Sequence, residues 1–346
     1  MSLAANISAT LNIEPDSVSA IVLGIWYLIQ AIIGVPANLL LIWLWYVKAE
    51  LRNVPSNIFI VNGALADAAY LLSSGVFNLH WGLANQLGVC KIGGFLTYFL
   101  ALYGFSIPPF LAINRDVFIR RVSTNRESES WKHKLFSQRG TIIMSGIFWL
   151  YIFSVNIPFV FLDMYGRDAL GICGIVYDLP VSLFVQFYIC MLGTFFTSVV
   201  LTIVYYRRLD KWIGEMTRGI MSDETTSAVR ETERLVKMTK WLTMMPVVCT
   251  TPGASLNFFL RFFPQLVNVR VARLVMIPFN FTSLANPFIT LYFMKPFRNA
   301  LTESFRAVRS NAVEQQQQQP MKVVGKRHSQ PISCRELVHV EMNIRV

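Results

Sequence analysis

The stretch from Ser17 to Val47 reads SVSAIVLGIWYLIQAIIGVPANLLLIWLWYV, 31 residues without one charged side chain. About 20 mainly apolar residues in a helix are enough to cross the hydrocarbon core of a bilayer. A single run of this kind could also be a helix buried in a soluble core. Six more runs make that alternative untenable. Asn53 to Cys90 holds one acidic residue, Asp67. Ile92 to Asn114, Gly140 to Leu162, Leu179 to Tyr206, Trp241 to Leu260 and Leu274 to Met294 hold no charge at all. These runs are too long for strands and show little period-2 alternation. The composition agrees, with 54% hydrophobic and only 15% charged residues, against about 25% charged in soluble domains. The sequence therefore predicts an all-α membrane protein, a bundle of seven transmembrane helices. Five cysteines are too few for a disulfide-dense secreted scaffold.

A net charge of +11 raises the idea of nucleic-acid binding, and the placement of the charges dismisses it. When alternate connections are taken as one side, 26 of the 31 Lys and Arg residues lie together. They are Lys48, Arg52, the cluster from Arg115 to Arg139, the loop from Arg207 to Lys240, and the tail from Lys295 to Arg345. No Lys or Arg precedes Ser17. The positive-inside rule then puts the N-terminus outside and the C-terminus in the cytoplasm of a plasma-membrane protein. The basic balance reads as topology and attraction to anionic lipid, with no nucleic acid involved.

Four regions follow. Residues 1–19 are expected to form an extracellular tail, with a glycosylation sequon at Asn6-Ile7-Ser8. No basic region followed by an apolar core precedes the first span, which is expected to act as its own insertion signal. Residues 20–294 form the bundle. Residues 295–309 are expected to be an amphipathic surface helix with Phe297, Leu301 and Phe305 on one face. Residues 310–346, with five glutamines from Gln315 to Gln319, are expected to be a disordered cytoplasmic tail.

Asp67 is the one carboxylate well inside a span. A charge at that depth faces the bundle interior and needs partners. It reads either as a structural hydrogen-bond node or as an ion or proton site coupled to conformation. Asn38, Asn62, Ser283 and Asn286 are candidates for its shell. Cys90 at the edge of the third span and Cys173 in the loop after the fourth both face the oxidising side. A disulfide pinning that loop to the bundle is favoured over two free thiols. Arg261, Arg270 and Arg273 cluster at the outer ends of the last two spans. They either pair with an anionic ligand or peptide carboxylate or snorkel to the headgroups. The four histidines are scattered, no nucleophile or metal-ligand constellation is visible, and the chain reads as a non-enzyme without cofactor. A structural sodium ion at Asp67 is the one ligand of that kind considered. A transporter would show inverted repeats around midplane ionisable groups, and no repeat is visible here.

In order along the chain, several motifs resemble a family. Gly34-Val35-Pro36-Ala37-Asn38, Asn62-Gly63-Ala64-Leu65-Ala66-Asp67, the 25-residue spacing from Cys90 to Arg115, and Trp149 with Pro158 come first. Cys249-Thr250-Thr251-Pro252 and Asn286-Pro287 with Phe297-Arg298 follow. From Trp26 to Leu301 the chain resembles a divergent rhodopsin-like (family A) G-protein-coupled receptor.

The resemblance implies a receptor that binds an extracellular ligand and activates a heterotrimeric G protein through Arg115, with arrestin as a further partner. Pro252 and Pro287 would be switch kinks. Thr97 falls where amine receptors carry an aspartate, and Asn280 where opsins carry a lysine. Both disfavour amines and retinal, and the arginines lean the reading toward a peptide or small anionic ligand contacting Thr97, Arg261, Arg270 and Arg273. Three positions depart from the family pattern. Asn114 replaces the acid before Arg115, so Glu231 or Glu233 is the expected restraint on that arginine. Thr250 replaces the sixth-span tryptophan. Thr290 stands three residues after Pro287 where a tyrosine is expected, with Tyr292 nearby. Asn114-Arg115 is similar to divergent nematode receptors, which brings in a chemosensory receptor for small environmental molecules as an alternative.

Overall fold

The structure is a computed structural model that describes residues 17–84, 87–124, 134–168, 170, 172–176, 179–218, 223–263, 266 and 268–318. Long helices dominate it. They are α1 (Ser17–Val47), α3 (Pro55–Ala84), α4 (Leu87–Thr124), α5 (Gln138–Phe161), α6 (Val181–Arg218) and α7 (Asp223–Phe262), with the one-turn α2 (Ala49–Arg52) between the first two. Five of these, together with the segment Val269–Phe293, are long and apolar enough to cross a membrane. The helix outside that set is α7. It carries the predicted sixth run and packs against α4 and α6. Pro246, Thr250, Thr251 and Pro252 lower its hydropathy while leaving it helical.

The seventh run, expected as one piece from Leu274 to Met294, is broken into α8 (Val269–Met276) and α9 (Phe281–Phe293). Pro278 has no N–H to carry the ladder through. Side chains of α1 bond to carbonyls at the break: the Tyr27 hydroxyl donates at 2.8 Å to the Met276 carbonyl, which also accepts from the Phe279 N–H, and Trp26 Nε1 donates to the Ile277 carbonyl at 3.0 Å.

The outside of the bundle is apolar, and polar side chains are buried among the apolar ones inside it. Ile25, Ile29, Ile32 and Ile33 of α1 and Ile142, Ile143, Ile147 and Leu150 of α5 are exposed. Asn38, Asp67, Ser74, Asn78, Asn156 and Asn280 are buried. That distribution is stable where lipid covers the outer face and the inner polar atoms bond to one another. Helices α1 and α3 come very close: a Cβ on Gly75 would lie 3.1 Å from the Tyr27 carbonyl and from Leu28 Cα.

Helix α4 carries Pro108 and Pro109 in its interior. Pro109 cannot donate to the Phe105 carbonyl four residues back. The Ser198 hydroxyl of α6 does so, at 2.6 Å.

Between α5 and α6 the chain forms a small antiparallel hairpin, β1 (Tyr165–Arg167) with β2 (Cys173–Ile175), in the register Tyr165 to Ile175. A disulfide joins Cys173 to Cys90 of α4. A Cβ on Gly94 would sit 2.6 Å from the Gly174 carbonyl, so only glycine lets the hairpin lie this close to the helix.

After Met294 the chain continues as α10 (Lys295–Gln318). Phe297 and Ala300 are buried in the cluster that holds Leu41, Leu44, Phe59 and Met238. The chain separates into two compact units, Met1–Thr302 and Glu303–Val346. In the second, the helix runs nine residues past the expected boundary at 309, and Phe305 is exposed rather than packed like Phe297. The tail from 319 to 346 and the Asn6 sequon lie outside the described residues.

Candidate functional site

Asp67 projects from α3 toward α9, where Ser283 and Asn286 are three residues apart and so share a helix face. Ser283 Oγ donates to Asp67 Oδ1 at 2.6 Å and Asn286 Nδ2 donates to Oδ2 at 2.7 Å. Asn38 of α1 joins them, its Nδ2 donating to the Ser283 carbonyl at 3.1 Å and to its own Gly34 carbonyl at 2.9 Å. One buried node thus ties three spans. Asn62 lies outside it. Its Nδ2 donates to the Ile58 carbonyl at 2.9 Å, and its Oδ1 accepts from Trp149 Nε1 of α5 at 3.1 Å.

A cavity of about 50 Å³ adjoins Asp67, lined in part by Gly104, Thr250, Asn286, Pro287 and Thr290. That is room for a few waters or one hydrated small cation, at roughly 10–15 Å³ per water-sized centre. Asn286 Oδ1 is buried without a hydrogen-bond partner among the described residues. With the carboxylate it makes an oxygen set that suits a hard cation. Gly104 adds no hydroxyl, since even its missing Cβ would be 3.6 Å from Asp67 Oδ1. Thr250 and Thr290 are buried against this cavity, whereas Tyr292 is 72% exposed and does not substitute for an inward tyrosine.

At the far end of α4, Arg115 Nη2 donates to Ser56 Oγ at 2.9 Å. Ser56 is buried in the first turn of α3. Asn114 is buried beside it. Glu233, expected to restrain Arg115, is exposed and pairs with Lys237 on its own helix at 2.7 Å. The Glu231 side chain lies outside the described residues. The base of α7 is tied instead to α6, through Lys240 and Asp210 at 2.8 Å.

At the opposite end the hairpin closes the mouth of the bundle. Asp168 follows β1 and is buried. Its Oδ1 accepts from the backbone N–H of Leu170 at 2.9 Å and of Ile172 at 3.0 Å. Burial pushes its carboxyl up to about 7, against the pull of those N–H groups and of the Arg273 and Arg167 charges. Arg273 is buried as well, donating from Nε to the Leu170 carbonyl at 2.9 Å and from Nη1 to Ser19 Oγ.

The other predicted ligand contacts are spread out. Arg261 donates to the Leu179 carbonyl and lies 5.8 Å over the Phe184 ring. Arg270 is exposed. Thr97 keeps a buried hydroxyl with no partner among the described residues. Below the mouth, Asn280 is held at both ends of its amide: Tyr70 donates to its Oδ1 at 2.7 Å, and its Nδ2 donates to Ser74 Oγ at 2.7 Å.

Sequence reasoning did not single out Ser56 or Asp168. A serine in a first helical turn looks like a capping residue. An aspartate ahead of Leu170-Gly171 looks like an ordinary turn.

A polar node across three spans, the Arg115 cation held at one end and a disulfide-pinned hairpin at the other belong to a seven-helix membrane protein. The sequence profile of the 7 transmembrane receptor (rhodopsin family) matches residues 37–290, and the chain belongs to that family. None of the curated proteins compared with it matches. Among solved structures it is similar to squid rhodopsin, with a TM-score of 0.67 and 19% identity over 89% of this chain and 93% of that one. At that identity the likeness establishes the fold alone.

Proposed function

We propose that this chain is a plasma-membrane receptor with its N-terminus outside and its C-terminus in the cytoplasm. It takes a ligand at the Cys90–Cys173 end and passes the change to a heterotrimeric G protein, and later arrestin, at the Arg115 end. The distribution of Lys and Arg supports this orientation. The observation that carries the reading is Arg115, a cation at the basic end of α4 held by the hydroxyl of Ser56. A hydrogen bond to a charged group is worth about 1.5–3 kcal/mol. A ligand with a preference of that order for a second packing of the helices would offset this contact.

The Asp67 node lies between the two ends and joins α1, α3 and α9. Asp67 and Asn286 would hold a sodium ion there, which would supply positive charge that keeps these helices together. Asp67→Asn is expected to remove any sodium dependence of agonist affinity, measured by competition binding with and without the ion.

The test of the function is G-protein dissociation in cells where surface display of an N-terminal tag is confirmed, with pooled peptides and small anionic metabolites as stimulus. A response lost in Arg115→Ala at equal display supports the reading. A response that survives the substitution removes Arg115 from it.

A further inference from the structure

We propose that the groove between α5 and α6 is a binding site for a small lipid-soluble carbonyl compound that enters from the bilayer. The proposal does not depend on where a ligand or a G protein meets the bundle.

Both helices pack on α4. Between them, over Ser106 and Pro109 of α4, lies a cavity of about 400 Å³. Pockets for drug-sized molecules run from about 300 to 1,000 Å³. One wall is aromatic. Phe110, Phe148 and Tyr151 line it, with Phe148 edge-on to Phe110 at 5.0 Å and tilted against Tyr151 at 5.8 Å. The other wall is α6, from Ile189 to Leu201. The groove is continuous with the lipid-facing surface. Ile147, one turn before Tyr151, is exposed, and so are Phe196 and Val200, one turn after Gly193 and Thr197.

Two hydroxyls break this apolar lining. Tyr151 and Thr197 are both exposed to the groove, and neither has a hydrogen-bond partner among the described residues. Tyr151 lies midway along α5, and Thr197 midway along the apolar stretch Val181–Trp212 of α6. A hydroxyl at the middle of a hydrocarbon core about 30 Å thick meets neither water nor headgroups. Other hydroxyls around the groove are satisfied by backbone. Ser106, Thr194 and Thr202 each donate to the carbonyl four residues back, and Ser198 donates to the Phe105 carbonyl. Thr197 makes no such bond to Gly193.

Gly193 is an independent sign. Glycine in a membrane helix usually marks a close approach of two helices. Nothing lies within 4 Å of where a Cβ on Gly193 would be. No neighbour needs that space, and the missing side chain serves only to keep the groove open.

The lining thus selects an apolar body with an acceptor oxygen. A carbonyl oxygen has two lone pairs and brings no donor of its own to leave unpaired. A lipid acyl chain would fill the groove and answer neither hydroxyl. A carboxylate or an ammonium would carry a full charge to mid-membrane, which is costly. The occupant would also touch Pro109 and Ser198, where the hydrogen-bond ladder of α4 is interrupted and repaired.

The experiment uses the full chain in lipid nanodiscs. The probe is benzophenone, an apolar diaryl ketone that inserts into nearby C–H bonds under near-ultraviolet light. Diphenylmethane has the same skeleton without the carbonyl. Adducts mapped by mass spectrometry should concentrate on residues 148–151 and 189–201. Diphenylmethane should compete for them on the order of tenfold more weakly than unlabelled benzophenone, as the hydrogen bonds to the carbonyl are lost. Thr197→Val combined with Tyr151→Phe should bring the two competitors level. Gly193→Leu should remove the adducts while the thermal midpoint holds or rises, since leucine suits a helix interior better than glycine. The comparison of ketone with hydrocarbon in the unsubstituted chain depends on no variant folding. Equal competition by the two there would reduce the groove to a place for acyl chains and overturn the proposal. Adducts spread evenly over the exposed faces of α1, α5 and α6 would overturn it too. A cross-link between two copies that Gly193→Leu abolishes would give the groove to a second copy of the chain, with the same result. No readout here involves a G protein, so failure leaves the receptor reading to the Arg115→Ala experiment.

Discussion

The two ends of the bundle are held by different kinds of contact. At the mouth there is a covalent bond from Cys90 to Cys173, a hairpin seated against Gly94, and buried hydrogen bonds from Asp168 and Arg273. At the Arg115 end the contacts include a bond between a cation and a hydroxyl and the exposed ion pairs Lys240–Asp210, Lys237–Glu233 and Lys211–Glu215, beside a buried bond from Asn57 Nδ2 to the Leu51 carbonyl. Buried and covalent contacts cost much to break, and exposed ion pairs cost little. The difference teaches that a covalent pin is confined to the mouth, and on the receptor reading proposed above the Arg115 end would be the one to give way more easily.

The strongest attack on this contrast is Cys90→Ser. Loss of a native disulfide costs about 2–5 kcal/mol in small domains. The thermal midpoint in nanodiscs should fall clearly and surface display should drop. A midpoint equal to that of the parent would mean the mouth is held without the covalent pin.

Next comes the other end. Ser56→Ala should raise ligand-free G-protein dissociation on the order of tenfold, since a hydrogen bond to a charged group is worth about 1.5–3 kcal/mol. Ser56→Asp should lower it below the parent, because a carboxylate pairs with Arg115 as an ion and suits the first turn of α3. If both substitutions shift basal signalling the same way, Ser56 does not restrain Arg115.

A smaller effect is expected from pH at the mouth. Asp168 faces Arg273, Arg167, Tyr27, Tyr98 and Tyr188, and burial raises its carboxyl to about 7. A released turn would return it to its ordinary value near 3.8. The closed turn therefore binds the proton more tightly than the open one. Its closure is favoured below the ordinary value and weakens as pH rises through about 7. Amide exchange at Leu170 and Ile172, corrected for intrinsic rates, should be faster at pH 8 than at pH 6. Asp168→Asn should flatten that dependence.

The smallest effect should come from Lys240→Ala. An exposed pair contributes about 0–1 kcal/mol, so basal coupling and thermal midpoint should barely move. A large change would mean that α6 and α7 are locked more firmly than the geometry of this end suggests.

The fold was legible because bilayer thickness imposes a length that seven runs obey. Asp67 was legible for a related reason: a lone carboxylate in such a run has few tolerable places to point. Its partners Asn38, Ser283 and Asn286 could be guessed from polarity at similar depth, and Asn62 failed that guess because depth does not specify which face a residue shares. The break at Pro278 was missed because an uncharged run hides a change of helix axis. Ser56 could not be read at all. Its role depends on α3 and α4 meeting at their ends, and no local pattern records that. The acids proposed for Arg115 came from charge alone, while an i,i+4 partner, Lys237, was closer to hand for Glu233.

The bond from Ser198 to the Phe105 carbonyl makes α4 a jointed rod whose splint belongs to a neighbour. The joint at Pro108 and Pro109 lies between Cys90 and Arg115 on one continuous helix. A sideways slip of α6 by about an ångström would take the splint away. The Phe105 carbonyl would then be left without a partner, at a cost of about 1–3 kcal/mol. Bending would recover part of that cost by letting the carbonyl find another donor. On the receptor reading proposed above, a push on α6 near the mouth would then reach Arg115 through α4 as the lever, with Pro109 as its fulcrum.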